Sequence, residues 1–382
     1  MDHRMTRRGM VAGAAAIIPS LAHAQNAKPA LGNPPTVISI PPRQFGPDAP
    51  PSIAPDPDVL RIDPSFGGLL IGQETIKRIA TGYQLTEGPA WSAEGRYAVF
   101  SDVKRNIQYR YIWETGAITP FRAPSFTSNG NSFDYQGREI SCQDFFRRVI
   151  RWEHDGTMTV LADNYDGKPF NSPNDLAPHR DGSVWFTDPI FGATLAEGHP
   201  DDGDGPMNKG GVRNPRIGDP GTGLIGSVHQ VLPANVYRWD PSGKVDVVLP
   251  FENGMFPNGI CFSPDCTKVY IIRGGKIFIA DVDGDHIANL RLFTDCMVDG
   301  IHCAPDGMRA DRAGNIWSGS AAPLGYAGVT VWNPGGKLIG RIRLPESCAN
   351  LCFAGPHRDY LFMTATQSIY LFRTNIQGAS PG

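Results

Sequence analysis

The segment Glu87-Gly-Pro-Ala-Trp91, with Gly95 and then Tyr97-Ala-Val-Phe-Ser-Asp102, is followed 42 residues later by Asn129-Gly-Asn-Ser-Phe133, Gly137 and Glu139-Ile-Ser-Cys-Gln-Asp144. Each reads as a polar anchor, a short apolar strand, a turn and a returning apolar strand. Four more copies follow: Asn174-Asp-Leu-Ala177 with Val184-Trp-Phe-Thr-Asp188; Asn258-Gly-Ile-Cys-Phe262 with Val269-Tyr-Ile-Ile272; Asp306-Gly-Met-Arg-Ala310 with Ile316-Trp-Ser-Gly319; and Asn350-Leu-Cys-Phe353 with Tyr360-Leu-Phe-Met363. The turn position lies 8 residues after the anchor in all six, and Gly fills it at 95, 137, 182 and 314. Glycine there suits a tight hairpin that needs positive φ. Anchor spacings are 42, 45, 84, 48 and 44. A period near 45 with about four short strands per period is the signature of a β-propeller. Residues 192–226, inside the long spacing, are crowded with Gly, Pro and Asp and carry no strand run, so they read as a loop insertion. The expectation is an all-β chain folded as one six-bladed β-propeller, with a metal site at the mouth of the central channel.

The metal expectation comes from the anchors. The innermost strand of a blade runs along the channel, and each anchor begins one. Glu87, Asn129, Asn174, Asn258, Asp306 and Asn350 should therefore converge on one ring, and each carries a side-chain carbonyl or carboxylate oxygen. Hard oxygens, two of them anionic, suit Ca²⁺ better than zinc or copper. Returning strands end at Asp102, Asp144, Asp188, Arg273, Ser320 and Ala365, beside that ring, where they could meet substrate or orient the ligands. Trp91, Trp185 and Trp317 recur inside repeats and read as packing between blades, and His302 reads as a surface loop residue.

Composition fits this picture. Charged residues make up 19% of the chain and hydrophobic ones 41%, with mean hydropathy −0.25, which excludes a disordered chain and a multi-pass membrane protein. A formal net charge of −3 argues against a broad nucleic-acid surface. The seven cysteines are odd in number and form no C-x-x-C pair, so they suggest neither a disulfide framework nor a zinc site. Residues 1–24 read as an export signal. Thr6-Arg7-Arg8-Gly9 resembles a twin-arginine motif, Gly9–Leu21 is weakly apolar, and Ala22-His23-Ala24 fits a cleavage site before Gln25. The mature protein is then periplasmic or secreted, with no membrane span. Residues 25–60 are Pro-rich and read as a linker or N-terminal wrap, and 61–382 as the propeller domain. Oligomeric state is not legible.

In Glu87-Gly-Pro-Ala-Trp91, Asn129-Gly-Asn131, Asn171-Ser-Pro-Asn-Asp175, Pro257-Asn-Gly259 and Pro305-Asp-Gly-Met308, taken in order, the chain resembles the gluconolactonase family, which includes regucalcin-like (senescence-marker) lactonases and luciferin-regenerating proteins. The resemblance covers roughly 75–375. It implies a six-bladed propeller with one divalent metal at the channel mouth, usually calcium, held by Glu87, Asn174, Asn258 and Asp306. The repeat reached those four positions independently. Two segments depart from the family: Cys142-Gln-Asp144 stands where bacterial members often have Cys-Glu-His, and Asp295–Ala304 is longer than usual. Both bear on substrate identity.

The chemistry expected is hydrolysis of a small-molecule lactone. The metal, Ca²⁺ or alternatively Mg²⁺, Mn²⁺ or Zn²⁺, polarises the carbonyl, and Asp306 serves as ligand and as the catalytic base for water. Glu87 is chiefly a charge-bearing ligand. Asn129, Asp144 and Arg273 are the candidates for contacts to sugar hydroxyls. The leading substrate is an aldonolactone. The alternatives are a non-sugar lactone, a phosphotriester, or a non-catalytic ligand-binding propeller whose calcium is structural.

Overall fold

A computed structural model of the chain describes residues 36–193 and 230–379. The expected export signal and all but the first two residues of the 192–226 insertion lie outside them. Six antiparallel sheets of four or five strands follow one another as blades. Blade one is Thr86–Ser92, Tyr97–Asp102, Ile107–Ile112 and Ile118–Arg122; blade two is Ser128–Phe133, Glu139–Gln143, Arg148–Trp152 and Met158–Ala162. Blade three is Leu176–Pro178, Val184–Thr187, Val236–Trp239 and Val245–Leu249; blade four is Pro257–Phe262, Lys268–Arg273, Lys276–Asp283 and His286–Thr294. Blade five begins Ala304–Ala310, Ile316–Ala321, Gly328–Trp332 and Leu338–Arg343, and blade six begins Cys348–Ala354, Tyr360–Ala365 and Ser368–Arg373. Each innermost strand packs against the innermost strands of both neighbouring blades, and blade six meets blade one.

The ring is closed by earlier sequence. Lys77–Thr81 supplies the outer strand of blade six, pairing Lys77 with Leu371 and Thr81 with Ser368, so both ends of the propeller share one sheet. Val59–Arg61 adds a fifth strand to blade five against Ile342, Arg341 and Gly340. A buried charge cluster anchors the stretch before it. Asp56 pairs with Arg43 at 2.7 Å and accepts the Ile76 amide at 2.8 Å; Asp58 pairs with Arg343 at 2.9 Å and accepts the Val37 amide at 2.9 Å. Residues 36–61 thus lie along blades five and six without strands of their own before Val59.

The core lies between blades, where aromatic and branched side chains of neighbouring sheets interdigitate. Trp185 and Trp317 are fully buried and Trp91 nearly so, as their place in the repeat suggests. Trp317, for example, packs against Phe66 and Phe353, and Trp185 against Phe262. The turn signal holds with one shift. Gly137, Gly182, Cys266, Gly314 and Arg358 all have positive φ, whereas in blade one that conformation falls on Arg96 rather than Gly95. Gly95 is needed there for space instead, since a Cβ on it would lie 2.1 Å from the Tyr97 ring. All seven cysteines are buried and unbridged. Among the described residues no helix is long and apolar enough to cross a membrane.

A second set of glycines decides how close the blades come at the channel mouth. Gly88, Gly130, Gly259 and Gly307 each follow an anchor. A Cβ on Gly88 would lie 1.9 Å from the Asn129 carbonyl oxygen, on Gly130 2.5 Å from that of Asn174, on Gly259 2.2 Å from that of Asp306, and on Gly307 2.0 Å from Cγ of Asn350. Blades one, two, four and five therefore each rest this glycine on the anchor of the next blade. Gly284, by contrast, has φ +64 and no atom within 4 Å of a built Cβ. Gly259→Ala is expected to cost about 3 kcal/mol through forced separation of blades. Gly284→Ala should cost about 1 kcal/mol, from backbone conformation alone. Equilibrium denaturation of the two variants compares them; equal costs would mean that the blades separate freely at the mouth.

Candidate functional site

Strand pairing slips where the anchors lie. In blade one the register passes from Glu87–Ser101 directly to Ala90–Val99, in blade two from Ser128–Gln143 to Asn131–Ser141, in blade four from Pro257–Arg273 to Ile260–Ile271, and in blade five from Pro305–Ser320 to Met308–Ser318. Each slip opposes two residues to one, a bulge that bends the strand and re-aims its side chains. In blades two, four and five the two residues are the anchor and its glycine. Blade six slips just before Asn350. In blade three, Asn174 precedes the strand and is tied by its amide to the Thr187 carbonyl at 2.9 Å, while its own carbonyl accepts the Gly130 amide at 2.8 Å.

The anchors fall into two groups by exposure. Asn129, Asn174, Asn350 and Glu87 are buried, Glu87 at 8% exposed, whereas Asn258 and Asp306 are partly open to solvent. The ring is therefore accessible from the side of blades four and five. Oε2 of Glu87 accepts the Gly88 amide at 2.9 Å and lies 3.2 Å from Nδ2 of Asn350. Burial first, and then the Asp306 and Asp175 carboxylates, push the Glu87 carboxyl well above its ordinary range; the Gly88 and Asn350 donors act the other way without prevailing.

Three residues not singled out in the sequence complete the site. Asp175 is buried, with Oδ2 3.5 Å from Nδ2 of Asn350 and 3.5 Å from Nη1 of Arg309. Arg309 also donates through Nη1 to the Met308 carbonyl at 2.8 Å and through Nη2 to the Asn131 carbonyl at 3.5 Å. Asn131 bridges blades one and two, donating through Nδ2 to the Gly88 carbonyl at 2.8 Å and to Oγ of Ser101 at 3.0 Å. A signal for two of them was present. The residue after the anchor is Gly in four repeats and Asp175 in the third; the residue three after it is Ala90, Ser132, Ala177, Cys261 or Phe353 everywhere but at Arg309.

The ends of the returning strands mostly serve the ring from behind. Asp102 accepts the amides of Gln84 and Leu85, and Asp188 those of Asn171 and Ser172 at 2.9 and 2.8 Å, in both cases the residues three and two before the anchor. Asp144 is fully buried, accepts the Phe145 amide, and is packed against Gly192. Arg273 is 4% exposed, pairs with Glu252 at 2.9 Å and lies over the Phe278 ring. Asn129 is 1% exposed, and its carbonyl accepts from Ser101 Oγ at 3.1 Å. His302 is exposed away from the ring, with Nε2 2.7 Å from the Gly275 carbonyl oxygen.

The donor set fits a divalent cation. Among the described residues the mouth holds three carboxylates, Glu87, Asp175 and Asp306, against one guanidinium, Arg309, a formal charge of −2. Its oxygens are carboxylate and amide, the donors that Ca²⁺ takes. Among the described residues no three His, Cys, Asp or Glu side chains are grouped with metal-ligand spacing. Glu87, Asp175 and Asp306 thus do not form such a group by themselves, and a cation held at the mouth would need amide oxygens as well.

The sequence model described as the SMP-30/Gluconolactonase/LRE-like region matches residues 85–367. A gluconolactonase of Zymomonas mobilis is 28% identical over 346 residues, covering 84% of this chain and 87% of its own. A pentonolactonase of Haloferax volcanii is 26% identical over 305 residues, covering 76% and 84%. Among solved structures, a Xanthomonas campestris gluconolactonase aligns with TM-score 0.69 at 26% identity, over 87% of this chain and 99% of that one.

Burial pushes the Asp188 carboxyl up to about 7, although the Asn171 and Ser172 amides and Arg147 oppose it. An unfolded Asp titrates near 3.9. Between about pH 4 and 7 the folded state thus holds a proton that the unfolded state has released, and this group's contribution to stability falls as pH rises through that window. Asp188→Asn is expected to flatten the decline of melting temperature from pH 4 to 7. An unchanged slope would mean that Asp188 is ionised throughout the window.

Proposed function

From the premise that the chain belongs to the SMP-30/gluconolactonase/LRE-like family, we propose that it is a gluconolactonase-like hydrolase that opens an aldonolactone to its aldonic acid and depends on one divalent cation, Ca²⁺ by donor chemistry. The observation that carries this reading is the ring itself: anchor oxygens on consecutive blades with a formal charge of −2 among the described residues, Asn258 and Asp306 being its more open members. Glu87, Asn174, Asn258 and Asp306 would hold the cation. Bound there, it would polarise the lactone carbonyl and offset charge on the oxyanion.

The chain's own residues supply the rest. Asp306, the ring carboxylate open to solvent, takes a proton from the attacking water as its oxygen bonds to the carbonyl carbon. The bond from that carbon to the ring oxygen then breaks, and the departing oxygen takes a proton to become a hydroxyl. Glu87, held by Gly88 and Asn350 and shielded from solvent, contributes fixed negative charge. Of the three candidates for substrate hydroxyls, Asn129 belongs to the ring itself, whereas Asp144 and Arg273 are buried and would act from behind it. Export through residues 1–24 belongs to the same proposal, and a calcium site of carbonyl and carboxylate oxygens suits a calcium-rich compartment.

The direct test is proton release from glucono-1,5-lactone by residues 25–382, chelated and then supplied in turn with Ca²⁺, Mg²⁺, Mn²⁺ and Zn²⁺, with spontaneous hydrolysis subtracted. Turnover restored by metal is expected; calcium binding without turnover on any aldonolactone would overturn the catalytic reading. Glu87→Gln should weaken calcium binding at least tenfold by calorimetry and reduce the calcium-dependent rise in melting temperature. For export, Arg7→Lys with Arg8→Lys should leave the protein in the cytoplasmic fraction; undiminished export would remove the twin-arginine assignment.

A further inference from the structure

Arg309 is a charge inside an innermost strand, at a repeat position filled elsewhere by Ala, Ser, Cys or Phe. It is 9% exposed. Its guanidinium reaches the Asn131 carbonyl of blade two and the Asp175 carboxylate of blade three from its own strand in blade five. Deeper in the channel it lines a small cavity of about 40 Å³ with Ile260, Phe262 and Phe353. Asp175 in turn stands within reach of Asn350, and the same Asn350 nitrogen reaches Glu87. A continuous chain, Arg309 to Asp175 to Asn350 to Glu87, therefore crosses four blades beneath the ring.

We propose that Arg309 is the fixed counter-ion of the ring: it neutralises Asp175, so that the mouth keeps the charge complementary to one divalent cation. This rests on the cation-binding reading above. Were Arg309 absent, three carboxylates would share the mouth, and Asp175 would be a buried charge without its counter-ion, which is strongly destabilising. With it, the Asp175 carboxylate has a guanidinium nitrogen 3.5 Å away, and Arg309 acts on the site through charge.

Charge balance and simple scaffolding predict opposite signs, which makes the proposal testable. Four variants are compared: Arg309→Met, Arg309→Lys, Asp175→Asn, and the double variant Arg309→Met with Asp175→Asn. Each is read by calcium calorimetry and by the melting temperature of the chelated protein. Arg309→Met should lower the chelated melting temperature yet tighten calcium binding tenfold or more, because a nearby positive charge is gone. Asp175→Asn should weaken calcium binding by a similar factor. The double variant restores the net charge and should recover wild-type affinity to within about threefold, with much of the lost melting temperature; Arg309→Lys should stay close to wild type in both. Calcium binding that weakens together with stability in Arg309→Met, or a double variant no better than the worse single one, would overturn the proposal. If Arg309→Met does not fold, Asp175→Asn and the double variant still decide it. If the wild type binds no calcium, the cation-binding reading fails by itself, while the melting temperatures of the four chelated proteins still report whether Arg309 and Asp175 are coupled.

Discussion

Four glycine contacts at the channel mouth set the geometry on which everything else depends. Gly88, Gly130, Gly259 and Gly307 bring four of the inner strands against the anchor of the next blade at distances that no side chain would permit. Because three of these approaches are backbone to backbone and the fourth is onto the Asn350 side chain, the anchors of those blades are held at the mouth with little freedom. A ring of polar anchors built on six separate strands would otherwise inherit the flexibility of six separate sheets. The bulges at the same residues complete the device. They relieve the strand of its regular alternation, so that the anchor can turn into the channel while the residues after it return to the core.

Such a ring concentrates negative charge where water is scarce, and much of the remaining polar structure answers that difficulty. Gly88 and Asn350 donate to Glu87, Arg309 pairs with Asp175, and Asn131 holds the carbonyls of Gly88 and Asn129. Even so, burial and the neighbouring carboxylates dominate at Glu87. A site in this condition favours a cation by the same physics that penalises it without one. The open side at Asn258 and Asp306 leaves a path for a ligand that the closed side does not.

The periodic part of this architecture was legible from sequence because repeats sample it six times. Anchor spacing gave the blade count, the strand runs gave the sheets, and the turn glycines were misplaced only in blade one, where positive φ falls on Arg96 rather than Gly95. Elements used once were harder to see. Lys77–Thr81 closes blade six, and Val59–Arg61 extends blade five by pairing with strands hundreds of residues away, which no local pattern announces. The ring anchors could be read from repeat register. The Asp175–Asn350 contact could not, because it joins blades three and six, which are not adjacent, and its distance depends on how the channel closes.

The exceptions to the repeat carry most of the site's individuality. A consensus blade would have Gly at 175 and a small or apolar residue at 309. This chain has one acid and one base instead, on blades three and five, and the two meet within the channel. Either substitution alone would bury an unmatched charge, so the pair makes physical sense only together. The same reasoning distinguishes Asp102 and Asp188 from the ring acids. They occur at equivalent ends of returning strands, each accepts the two amides that lead into its own anchor, and neither reaches across the channel. Acids that repeat in this way hold the strands in place, whereas the acids and the one base that break the repeat, Glu87, Asp306, Asp175 and Arg309, set the charge that a ligand meets.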